Sequence, residues 1–168
     1  MDWKTASSDE KLQLVRDINR VEPVYKFSPE DSIVETLPLS FYHGGQLVSI
    51  VKPMPLQPQL WYVKLPSEIV NLDGSVANIH HLNERAPLAL SPQVIADYLK
   101  FRLYFAGSMW LEGVLAIEAA EGFQATARVL EQEGLFEKKF AVSPRGELTL
   151  QAKKKLGAGK RPPARFSF

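Results

Sequence analysis

The chain has 168 residues, 45% apolar and 23% charged, a balance ordinary for a globular domain that can bury its own core. It contains no cysteine, which removes disulfides, thiolate nucleophiles and cysteine-ligated metal sites and fits a reducing compartment. The net charge of +1 conceals an asymmetry: residues 153–168 hold six basic and no acidic side chains, whereas residues 1–152 hold fourteen basic and nineteen acidic ones. That pattern describes a basic arm on an acidic body. No apolar run reaches the roughly 18 residues a membrane span needs. The opening MDWKTASSDEK has no basic stretch followed by an apolar one, so the expectation is a cytoplasmic protein without a signal peptide.

In chain order, SSDEKLQLVRDINRV predicts an amphipathic helix. Ser7 or Ser8 is placed to cap it, Leu12, Leu14, Val15 and Ile18 supply the apolar stripe, and Glu22-Pro23 ends it. The runs SIVETL, QLVSIV and LWYVKL predict strands, separated by Pro38, Gly44-Gly45 and the Pro53/Pro55/Pro58 series. Pro55 and Pro58 form a P-x-x-P spacing, which reads as loop punctuation between strands before it reads as a polyproline ligand. Trp61 and Tyr62 are expected to anchor that stretch to the core. SEIVNLDGSVANI carries Asp73-Gly74, a tight-turn signal that suggests a hairpin.

LSPQVIADYLKFRLYFAG is the clearest element. Ser91 suits the N-cap, Pro92 the first helical position and Gly107 the C-terminal stop. Its apolar residues cover most of the circumference, so the helix should be buried, with Lys100 and Arg102 reaching out to water. Four strand-like runs follow, MWLEGVLAIEA, FQATARVLEQ, FEKKFAVS and ELTLQAKK, with turns at Gly122, Gly134 and Arg145-Gly146. Phe123, Ala125, Ala127 and Val129 alternate with polar residues, as do Leu148, Leu150 and Ala152, which suits an antiparallel sheet with one wet face.

The fold expected is therefore α+β: a helix packed on a four-stranded antiparallel meander, preceded by an extended, β-rich, proline-punctuated part. In element order alone this resembles cystatin-like or NTF2-like folds. One α+β domain is expected over 1–152, with a helix and lead-in at 1–22, extended β segments at 23–90 and the helix plus meander at 91–152. Residues 153–168 form a basic C-terminal arm.

Catalytic constellations are sparse. His80 and His81 are adjacent, and in an extended segment they would point to opposite faces, so no metal site is expected. Ser40 near His43 is not triad geometry, and no nucleophile elbow is present. GAGKR in the tail lacks the spacing, the Lys-Ser/Thr end and the following helix of a phosphate loop. Glu112 and Glu118, six apart on one strand, would share a face about 20 Å apart, too far for acid and base on one bond. No cofactor is implied.

The arm is more suggestive. Lys160, Arg161 and Arg165 supply salt-sensitive attraction, and Phe166 and Phe168 supply apolar anchors. The sparse interleaving of aromatic and basic residues and the acidic body point away from nucleic acid and toward a protein partner. The first functional expectation is a cytosolic interaction or adaptor protein docking through this arm or through a sheet edge, with no membrane association and with homo-oligomerisation left open. The alternative is a small-molecule-binding protein or enzyme. Its pocket would lie between the helix Ser91–Phe105 and the concave sheet, lined by Tyr98, Tyr104, His80 and Asp97.

Overall fold

The computed structural model describes residues 3–53, 58–108 and 110–158, apart from the side chain of Trp110. It is α+β, with three helices and two antiparallel sheets among those residues. The chain divides into two compact units, Met1–Asp73 and Gly74–Phe168.

The first unit is a five-stranded sheet in sequential order: β1 (Lys4–Thr5), β2 (Ile33–Pro38), β3 (Gln46–Val51), β4 (Leu60–Lys64) and β5 (Ile69–Asn71). Helix α1 (Ser8–Val21) packs against it. Ser7 is the cap, its hydroxyl accepting from the Glu10 N–H at 3.4 Å. Leu14, Val15 and Ile18 enter a core with Val34, Val48, Ile50 and Tyr62, whereas Leu12 is exposed. Tyr62 is fully buried as expected, and Trp61 meets Trp3 ring to ring with centroids 5.6 Å apart. Pro55 lies outside the described residues.

A buried carboxylate ties α1 to this sheet. Glu22, at the C-terminal end of the helix, accepts from Tyr62 Oη at 2.6 Å, Asn71 Nδ2 at 3.1 Å and the N–H groups of Val24 and Tyr25. Burial pushes its pKa up, but the donors outweigh burial and hold the carboxyl below its ordinary value.

The second unit begins with α2 (Val76–Arg85), where the Asp73-Gly74 turn signal had suggested a hairpin. Gly74 instead opens a helix capped by Ser75, whose hydroxyl accepts from the Asn78 N–H at 3.0 Å, and Ile79 and Leu82 are its buried face.

Helix α3 spans Ile95–Phe105, three residues shorter at its start than a Ser91 cap and a Pro92 start suggested. No side chain among the described residues caps it. Pro92–Val94 form a turn, and the Ser91 carbonyl accepts from the N–H groups of Val94 and Ile95. Its end follows expectation. Gly107, at φ +91°, closes a Schellman motif, with Ser108 N–H bonded to the Leu103 carbonyl and Gly107 N–H to that of Tyr104. The helix is buried round most of its surface, and Lys100 is half-buried. Arg102 does not reach water; it is only 6% exposed, beside the Tyr98 hydroxyl, and its Nε has no hydrogen-bond partner among the described residues.

The meander is present as β6 (Trp110–Ala119), β7 (Gly122–Glu131), β8 (Gly134–Val142) and β9 (Leu148–Gly157), each antiparallel to the next. Helix α3 lies against β6. Ala125, Ala127 and Val129 are buried and face Phe140, Lys138 and Phe136 across the β7–β8 ladder, as the alternation required. Two irregularities shift the other strands. In β9 the register slips at Gln151, so Leu150 opposes Phe140 but Lys153, not Ala152, continues on that inner face. In β6 the register slips between Glu112 and Leu115. Glu112 then opposes Arg128 on the outer face and Glu118 opposes Phe123 on the inner one, so the two carboxylates do not share a face.

Candidate functional site

Strand β9 is an edge of its sheet, and every residue from Thr149 to Leu156 is exposed. Lys153, Lys154 and Lys155 lie on this rim. Because of the bulge, Lys153 and Lys155 share a face with Phe136, and their Nζ atoms stand 4.0 Å and 5.9 Å from its ring centroid. Lys153 also donates to Glu131 Oε2 at 2.8 Å, while the buried Lys138 donates to Oε1 of the same carboxylate. Partial burial pushes the Glu131 carboxyl up, but the two ammonium groups dominate and hold it below its ordinary value. One acid thus fixes one rim lysine in place, and Lys154 and Lys155 extend the positive edge. The sequence-predicted docking set, Lys160, Arg161, Arg165, Phe166 and Phe168, lies wholly outside the described residues.

A second feature is a cleft of about 460 Å³ bordered by α2 and the β8–β9 turn, with His80, Asn83, Glu84, Leu88, Arg145 and Glu147 among its lining. Its wall is organised by Tyr98, which is fully buried and donates to the Gly146 carbonyl at 2.6 Å. Asn83 Nδ2 donates to Tyr98 Oη at 2.8 Å and to the Arg145 carbonyl at 3.0 Å. Burial pushes the Tyr98 hydroxyl pKa up, opposed by Asn83 and Arg102.

Of the residues expected to line a pocket, His80 is in this cleft and Tyr98 stands behind it. Tyr104 and Asp97 are not among its lining residues; the Tyr104 ring stacks edge-on with Phe105 at 5.1 Å. His80 and His81 are helical, not extended, and both approach Glu84, at 3.6 Å and 3.4 Å. Among the described residues no three His, Asp or Glu side chains are grouped to hold a metal ion. The cleft lining contains no serine, threonine or lysine, and the one hydroxyl behind it is engaged by hydrogen bonds. The geometry allows binding there, with His80, Glu84, Arg145 and Glu147 as its ionisable lining.

The Glu131–Lys138–Lys153 cluster was not visible in sequence. Its members come from the end of β7, the middle of β8 and the middle of β9, and only the ladder register brings them together. Comparison with family models, curated proteins and solved structures finds no match to the chain. No helix among the described residues is long and apolar enough to cross a membrane.

Proposed function

We propose that this is a non-enzymatic interaction protein that docks an acidic protein segment along the basic rim of β9 and the arm that follows it. The observation carrying this reading is the edge strand exposed from Thr149 to Leu156 with three consecutive lysines, leading directly into residues whose further charges are all positive. An exposed edge offers unpaired backbone groups to an extended partner, and the lysines favour one with carboxylates. The absence of cysteine suits a reducing compartment, and the cytoplasm is the location proposed.

The test is binding of a fluorescent Asp/Glu-rich peptide to the full chain, beside a single-stranded RNA of equal charge. Saturable peptide binding that weakens as salt rises and is lost in Lys153→Glu/Lys154→Glu/Lys155→Glu is expected. Tighter binding of the RNA, or peptide binding untouched by the charge reversal, would overturn the proposal. Lys154→Glu/Lys155→Glu alone, which leaves the Glu131 pair intact, separates lost docking from lost packing.

A further inference from the structure

On the outer face of the β6–β9 sheet one row of side chains crosses all the strands with alternating charge. Glu112 opposes Arg128, Arg128 opposes Glu137, and Glu137 opposes Lys154. Arg128 and Glu137, inside the row, each have an opposite charge on both sides, which favours the register they are in. Lys154 has one on a single side, because no described strand pairs with the free side of β9. The inner-face lysines differ from each other. Lys153 is engaged within the protein, donating to Glu131 Oε2 at 2.8 Å with its ammonium 4.0 Å from the Phe136 ring centroid. Lys155 stands 5.9 Å from the same centroid, and no carboxylate pairs with it among the described residues. The consecutive lysines are therefore electrostatically unequal: Lys155 is open, Lys154 is satisfied on one side and Lys153 is satisfied. Register slips at Gln151 and Leu156 leave residues 152–155 as the regular stretch on which an added strand can pair.

Resting on the docking reading above, we infer that the β9 rim reads the order of its partner's charges and not their number alone. The docked segment runs antiparallel to β9. From its N-terminal side it presents an acid opposite Lys155, an acid opposite Lys154, and uncharged residues opposite Lys153 and Ala152. The acid on the outer face extends the alternating row and gives Lys154 the second opposite neighbour that Arg128 and Glu137 already have. The acid on the inner face meets the ammonium that has no carboxylate of its own. An acid opposite Lys153 would have to share that ammonium with Glu131, so repulsion between the two carboxylates offsets its attraction. The orientation follows from the sheet itself, in which every pair is antiparallel, the slightly more stable ladder per residue.

The test uses the full chain and fluorescent peptides of one composition, with the cores Glu-Glu-Val-Val, Val-Val-Glu-Glu and Glu-Val-Glu-Val in identical uncharged flanks. Their net charge is equal, so attraction that depends on charge alone does not separate them. Glu-Glu-Val-Val should bind about threefold or more tighter than either of the others. Charge reversal then fixes the register. Lys155→Glu should lose Glu-Glu-Val-Val and regain binding with Lys-Glu-Val-Val, whereas Lys154→Glu should regain it with Glu-Lys-Val-Val. Neither peptide should restore the other variant. Both lysines are exposed, so the melting curves of the variants should stay close to that of the wild type. Equal binding of the three orders, tightest binding of a different order, or rescue that ignores position would overturn the inference and leave the docking proposal standing. Failure of all three peptides to bind would remove the docking proposal and this inference together, leaving the lysines as guards against edge pairing.

Discussion

Two glycine substitutions separate backbone strain from packing at the wall of the cleft. Gly107 and Gly146 both have left-handed backbones, at φ +91° and +79°. A Cβ at Gly107 would meet nothing within 4 Å, so Gly107→Ala incurs only conformational strain, about 1–2 kcal/mol. Part of this is offset by about 0.4–1 kcal/mol from a less flexible unfolded chain. A Cβ at Gly146 would lie 2.6 Å from Asn83 Nδ2 and closer still to Tyr98 Oη. Gly146→Ala therefore adds the displacement of a buried hydroxyl and the loss of its bonds to Gly146 and Asn83, about 1 kcal/mol each. The expected totals are about 1 kcal/mol for Gly107→Ala and about 3–4 kcal/mol for Gly146→Ala. In a chain of this length that corresponds to Tm losses of about 3 °C and about 10 °C, read by circular dichroism melts with urea unfolding as a check. Equal losses in the two variants would refute the placement of Tyr98 and Asn83 against the β8–β9 turn.

Tyr62→Phe removes one donor from the buried Glu22 carboxylate and should cost about 1–3 kcal/mol near neutral pH. Because the folded pKa of Glu22 lies below its ordinary value of 4.5, its stabilisation is present above that value and is lost as pH falls through the lower folded value. Melts across acid pH should therefore show a shallower decline in Tyr62→Phe than in the wild type. Glu131→Ala strands the buried Lys138 ammonium and should destabilise by about 1–3 kcal/mol, discounted for the partial exposure of the carboxylate. Adding Lys138→Met should recover part of that loss, and a double variant less stable than Glu131→Ala would count against the buried pair.

The elements that were legible in sequence are those in which local chemistry and tertiary packing agree. Ser7 and the Leu14–Val15–Ile18 stripe define α1, and the alternation of Phe123, Ala125, Ala127 and Val129 with polar residues defines β7. Helix α2 was missed because β-branched Val76 and Ile79 follow a strong Asp-Gly turn signal, although Ser75 provided a cap three residues before Asn78. The period-two rule failed in β6 and β9 because a bulge adds one residue; Gly113, at φ +59°, marks it in β6, whereas in β9 no glycine does, and there the extra residue moved Lys153 onto the Phe136 face. Arg102 looked like a residue on a wet face because helical spacing says which residues share a side of a helix, not what covers that side. The candidate docking site was half legible. The charge of the rim could be counted, but the carboxylate that positions Lys153 is twenty-two residues away and was found only through the register.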